Sequence, residues 1–183
     1  MKINTRINGK DICLEIKPNT MLAEALRAAG FKGVKIGCSE GSCGACAVMI
    51  DGRPRNSCIL PAGTAEGSEI LTVEGMGNPE KPHVLQQAFV DSGSTQCGYC
   101  NPGSLIAAKA LLDSNSNPTA EDVKDALDGN LCRCTGYIKR IDAVLQAAKA
   151  VKTAKAAKTV KADKAVKAVK ADKKTAGRAG GKK

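Results

Sequence analysis

"KIGCSEGSCGACAVMIDGRPRNSC", residues 35–58, carries four cysteines, three of them inside "CSEGSCGAC" with glycines between. The spacing is Cx4Cx2C over Cys38, Cys43 and Cys46, with Cys58 after eleven intervening residues. That is the plant-type 2Fe-2S ligand spacing, in which one loop supplies three thiolates and a later element the fourth. Thiolates gathered on a net negative cluster need backbone N–H groups turned toward the sulfurs. Gly37, Gly41 and Gly44 allow the positive φ angles of such a nest, and Ser39, Ser42 and Ala45 keep the loop thin. Zinc also takes four thiolates, but commonly from paired CxxC knuckles, so the loop favours iron and sulfide over zinc.

Working outward, the chain of 183 residues suits two small domains, each with its own core. Aromatic residues make up 2%, with no Trp, so the cores must use Leu, Ile, Val and Ala together with whatever the cysteines hold. Small cores of that kind need a staple. The start, "MKINTRINGKDICLEI", has no unbroken apolar run and no twin arginine, and no later stretch approaches the roughly 18 apolar residues of a membrane span. A cytoplasmic protein is expected, where clustered cysteines bind metal more often than they form disulfides. The formal charge of +10 is unevenly placed: after residue 150 there are eleven Lys and one Arg against Asp163 and Asp172, while the first 150 residues balance at 16 basic and 16 acidic groups. The basicity is a tail, and it does not make the folded part a nucleic-acid binder.

Alternating apolar residues in "KINTRINGKDICLEIKP" around Asn8 and Gly9 predict a β-hairpin. Thr20 is expected to cap a helix over "MLAEALRAAG", with Glu24 near its first turn and Gly30 closing it. Short strands follow at "AVMID" and "EILTV", with Gly52 at a turn between them. The fold class expected is α+β: a 2Fe-2S ferredoxin-type domain over residues 1–77, a helical metal-binding domain over 78–150 and a basic low-complexity tail over 151–183. Beyond the hinge "GNPEKP", the segments "HVLQQAFVDSG", "PGSLIAAKALLDS", "TAEDVKDALDGN" and "IKRIDAVLQAAKAV" show helical periodicity and suggest a four-helix bundle. Pro102 suits a first helical turn, and Thr119 before Glu121 and Asp122 is an N-cap. In the tail, lysine recurs every third residue from 152 to 173, which leaves no apolar stripe and predicts disorder, with contact to a polyanion as the competing role.

A second cysteine set is "QCGYC", with Cys97 and Cys100, and "LCRCTGY", with Cys132 and Cys134. Each pair stands just before a predicted helix, where free N–H groups favour an anion. By spacing alone, CxxC plus CxC fits zinc nearly as well as iron.

The motifs "GCSEGSCGACAVMIDG", "NSC", "QCGYCNPG" and "GNLCRCTGY", in this order, resemble the small iron-sulfur subunit of the xanthine dehydrogenase family of molybdenum hydroxylases. The resemblance spans about residues 2–150. It implies a plant-ferredoxin-like β-grasp domain with one 2Fe-2S cluster and a four-helix domain with a second. The second cluster would lie beside the molybdopterin of a large subunit, and the first would face a medium subunit bearing FAD. Gln96 and Cys134 are then expected against the pterin. Asn101 departs from the family, where Thr is usual at that place.

The function implied is an electron-transfer subunit, inactive alone, that passes electrons singly from molybdenum through two clusters toward a flavin. An N-heteroaromatic substrate such as a purine is expected, with aldehyde, carbon monoxide and hydroxybenzoyl thioester enzymes of the same family as alternatives. A free-standing ferredoxin-like carrier and a zinc-stapled interaction module are the competing classes. No catalytic residue is expected: His83, the single histidine, reads as a helix cap or surface residue, and Rieske ligation would need two. Cys13 is expected to be a bystander thiol, Tyr99 and Tyr137 apolar shielding around the second set, Arg133 a partner contact, and Met49 and Met76 core filling.

Overall fold

The computed structural model describes residues 1–153, so the expectations for the tail from residue 154 onward lie outside the described residues. Strands β1 (Lys2–Ile7) and β2 (Lys10–Glu15) pair antiparallel with Ile7 opposite Lys10. That register leaves a two-residue turn, and Asn8 and Gly9 fill it at φ 52° and 79°, the handedness that matches strand twist. Ile3, Thr5 and Ile7 point inward.

Helix α1 (Leu22–Ala28) buries Leu22, Ala23, Ala25 and Leu26 in the same core. Full burial of each leucine contributes about 1.5–3 kcal/mol. Its end is a Schellman closure: Phe31 N–H donates to Leu26 O at 3.0 Å and Gly30 N–H to Arg27 O at 3.2 Å, with Gly30 at φ 101°. The start differs from expectation. Met21, not Thr20, is the N-cap residue, and the Glu24 carboxylate accepts from its N–H. The backbone on either side of Met21 is engaged by the segment around Pro61, with Leu22 N–H on Leu60 O and Ala62 N–H on Thr20 O. The Thr20 hydroxyl instead closes a turn by accepting from Lys17 N–H.

Strands β3 (Ala47–Ile50), β4 (Arg53–Asn56) and β5 (Glu69–Leu71) complete a five-stranded sheet of order β2-β1-β5-β3-β4, in which β1 and β5 run parallel and the other pairs antiparallel. Strand β4 was not expected, because "RPRN" has no apolar alternation and contains proline. It is an edge strand, where a missing N–H and charged side chains are tolerated.

Among the described residues four helices follow: α2 (Val84–Asp91), α3 (Asn101–Ser114), α4 (Ala120–Leu127) and α5 over 138–153. Pro102 lies in the first turn of α3 and the Thr119 hydroxyl caps α4, as expected. Helix α5 continues through residues 151–153, so the first three residues assigned to the tail are helical. Among the described residues no helix is long and apolar enough to cross a membrane.

The helices share a core of Leu85, Phe89, Ala108, Val123, Val144 and neighbours. A third, small cluster joins this layer to the sheet: Ile106 of α3 is wholly buried against Ala47 and Met49 of β3, with Met76 packed beside them. Next to it the Gly44 carbonyl passes so near Gly103 that a Cβ on Gly103 would collide with it. A Gly103→Ala substitution therefore reverses its usual sign. Helix propensity would give about 1 kcal/mol, but the overlap with backbone costs about 3 kcal/mol or more, so thermal unfolding of the full chain is expected at least about 4 °C lower.

His83 caps α2 by accepting from Leu85 N–H at Nδ1, 3.2 Å away. Burial, then the Lys109 ammonium, hold its pKa below the ordinary 6.5, against a smaller opposing pull from Asp113. The unfolded chain thus takes up this proton first. Stability is expected to fall as pH drops below 6.5 until the lower folded pKa is passed. Urea midpoints of the His83→Asn variant, which keeps a capping acceptor, should lack this component of the fall.

Candidate metal centres

The first cysteine loop runs from α1 into β3, and Cys58 follows β4 in the short helical turn Ser57–Ile59. Its sulfurs lie as two neighbouring pairs, Cys38 with Cys43 and Cys46 with Cys58. Cys46 and Cys58 are buried, Cys38 and Cys43 partly so. The expected N–H donors are present at two sulfurs: Glu40 N–H reaches Cys38 Sγ and Cys58 N–H reaches Cys46 Sγ, each at 3.4 Å. With the Ser42 hydroxyl, the Glu40 contact draws the Cys38 thiol down to about 6. Burial and the contact with Cys46 push Cys58 up to about 11.

Gly41 and Gly44 have the positive φ expected of them, at 81° and 68°. Gly37 does not, and its place in the loop has another cause: a Cβ there would stand 2.9 Å from Cys43 Sγ. The remaining left-handed residue is Ser39, at φ 61°.

In the second set Cys100 is the N-cap residue of α3, and Cys132 and Cys134 precede α5. Again the sulfurs pair. Cys97 Sγ and Cys134 Sγ are 3.6 Å apart on the exposed side, and Cys100 and Cys132 pair on the inner side. Tyr99 N–H and the contact with Cys134 lower Cys97, while the contact with Cys97 raises Cys134. Burial raises Cys100; it also opposes ionisation of Cys132, but the Thr135 hydroxyl and N–H outweigh it and bring Cys132 down to about 7. In this second set each pair thus holds one sulfur inclined to the thiolate and one to the thiol.

Paired sulfurs suit a binuclear cluster, which takes two thiolates per iron. Zinc takes four donors about 2.3 Å from one ion, whereas the sulfur contacts here are made in twos. The donor set, the cradle at Gly37 and the N–H contacts all fit two 2Fe-2S groups.

Residues 5–71 match the family described as 2Fe-2S iron-sulfur cluster binding domain, and residues 72–145 match the 2Fe-2S binding domain family. The chain is 49% identical over 148 residues to the nicotinate dehydrogenase small FeS subunit of Eubacterium barkeri, covering 80% of this chain and 94% of that one. It is 44% identical over 149 residues to the xanthine dehydrogenase iron-sulfur-binding subunit of Escherichia coli O157:H7, covering 80% and 94%. The chain belongs to the iron-sulfur subunits of the xanthine dehydrogenase family. A crystal structure of quinoline 2-oxidoreductase from Pseudomonas putida 86 superimposes with a TM-score of 0.80 at 43% identity, over 84% of this chain and 96% of that chain.

The two loops of this iron-sulfur subunit are bonded to one another. Leu131 N–H donates to Cys43 O at 3.0 Å, the Asn130 side-chain amide to Gly44 O at 3.1 Å, and the Tyr99 hydroxyl to Ile36 O at 2.7 Å. Both tyrosines, expected only as apolar shielding, also act through their hydroxyls: Tyr137 Oη accepts from Cys132 N–H at 2.7 Å, and Tyr99 ties the second set to the first. Gln96 and Arg133 are exposed and Cys13 stands apart on β2, also exposed. Sequence reasoning missed Asn130 and above all Arg140, which reaches Cys100 Sγ from α5. Its signal was legible: Arg140 lies three and four residues before the buried Ala143 and Val144, a charge on an apolar stripe.

Substituting Gly37→Ala should displace Cys43 and halve the iron and acid-labile sulfide bound per chain, leaving the second set loaded. Metal and sulfide analysis with electron paramagnetic resonance checks both parts.

Proposed function

We propose that the chain is the electron-transfer subunit of a molybdenum hydroxylase, built as a β-grasp unit over residues 1–77 and a helical bundle unit over 78–150. The observation that carries this reading is the pairing of cysteine sulfurs, Cys38 with Cys43, Cys46 with Cys58, Cys97 with Cys134 and Cys100 with Cys132. Cys38, Cys43, Cys46 and Cys58 hold one 2Fe-2S cluster and Cys97, Cys100, Cys132 and Cys134 the other. The clusters supply one-electron oxidation and reduction when bound. A single carrier cluster would not need the second quartet or the bonds that tie it to the first.

The residues keep the two quartets in fixed register. Cys132 is joined through its own amide to Leu131, whose N–H meets the carbonyl of Cys43, so covalent bonds and one hydrogen bond link a ligand of each set. Around the second set, Cys97, Cys134 and Gln96 are exposed beside the apolar side chains of Leu131, Tyr99 and Ile138, which are 56%, 48% and 72% exposed. Apolar surface with exposed ligands at its centre suits cover by a larger chain. We assign that face to the molybdopterin-bearing large subunit, with Gln96 and Cys134 toward the pterin, and the first loop, where Ile59 is 52% exposed, to a medium subunit bearing FAD. The substrate class is an N-heteroaromatic such as a purine, as the nicotinate, xanthine and quinoline named in the relatives all are. The setting is cytoplasmic. The basic tail remains a candidate contact for a polyanion.

Purification of the native chain should bring down molybdenum and flavin subunits, with about four irons per copy of this chain. Two distinct reduced 2Fe-2S signals are expected in electron paramagnetic resonance. A lone monomer, one signal, or zinc without sulfide contradicts the proposal.

A further inference from the structure

Arg140 is the largest fully buried side chain among the described residues, at 1% exposure, and has no carboxylate within salt-bridge distance among them. A buried guanidinium cannot lose its proton, so it needs an anion or a full set of acceptors. Its three partners are Ser104 Oγ at 2.8 Å, Asn101 Oδ1 at 3.1 Å and Cys100 Sγ at 2.9 Å, and Nε has no partner. With the cluster bound, the charge that answers it is the ligand sulfur of Cys100. Asn101, the departure noted in the sequence, is also explained here: its carbonyl accepts from Arg140 while its amide donates to Thr95 Oγ1 at 2.7 Å.

We infer that Arg140 raises the reduction potential of the second cluster by holding a desolvated positive charge against Cys100 Sγ, and that Asn101 keeps that charge free of a carboxylate. The inference rests on the cluster assignment proposed above. In each turnover step one electron arrives from the molybdenum side and one leaves toward the first cluster. No bond is made or broken, and Arg140 keeps its proton throughout. The added electron makes the set around Cys100 more negative by one charge, which a fixed cation in a low-dielectric site stabilises more than it does the oxidised state. The second cluster is therefore easier to reduce than its sulfur ligands alone would make it.

The test is a redox titration of both clusters by electron paramagnetic resonance in the assembled enzyme. Arg140→Gln removes the charge, and at a given ambient potential should shift the reduced-to-oxidised ratio of the second cluster about tenfold toward oxidised, ~59 mV more negative for a one-electron couple. Arg140→Lys should restore most of the shift, and the first cluster should titrate as in the native enzyme. Asn101→Asp leaves Arg140 in place and sets a carboxylate beside it; it should move the second cluster in the same direction. A native potential in a loaded Arg140→Gln or Asn101→Asp enzyme overturns the inference. Loss of the second cluster from both variants does so too, since Arg140 would then only hold the site together. Failure of the cluster assignment is seen separately, as a missing second signal in the native enzyme.

Discussion

Where the carbonyl of Gly44 passes Gly103, there is room for a hydrogen atom and nothing larger. This close approach sets how far the sheet layer stands from helix α3, and both cysteine sets depend on it. Gly44 lies between the ligand candidates Cys43 and Cys46, and Gly103 follows Cys100 in the first turn of α3. The Asn130 amide on Gly44 O and the Leu131 N–H on Cys43 O then draw the third segment, with Cys132 and Cys134, against the same strip of backbone. Three stretches far apart in sequence are held by carbonyls that would otherwise need water, and burying such groups unpaired is costly.

The second constraint is electrical. Eight thiolates in two small groups would repel one another strongly, and the chain answers with backbone N–H groups, hydroxyls and one buried guanidinium. The answers are unequal. The first set relies on backbone N–H groups, while the second set also borrows the charge of Arg140 from α5. Two clusters of the same type can then differ in potential because their surroundings differ.

Several features are legible in the amino-acid sequence alone. Cysteine spacing carries local geometry, because ligands within a few residues share one loop; the Asn8-Gly9 turn, the Gly30 closure and the Thr119 cap are likewise local, each decided by a residue's own backbone preference. The Thr20 cap failed because a distant segment, around Pro61, took the backbone bonds beside it. Strand β4 was unreadable for a related reason: edge pairing to β3 makes "RPRN" a strand, and its composition does not.

By itself, the sequence determined the spacing and order of the two cysteine motifs and most of the helices and strands around them, since these follow from short-range preference. Only the tertiary structure decided which sulfur neighbours which, that Tyr99 and Leu131 tie one set to the other, and that Arg140 faces Cys100 and no carboxylate. Apart from the sulfur pairs of the first set, those are contacts between segments tens of residues apart, and no local pattern encodes a distance that arises only when separate surfaces pack.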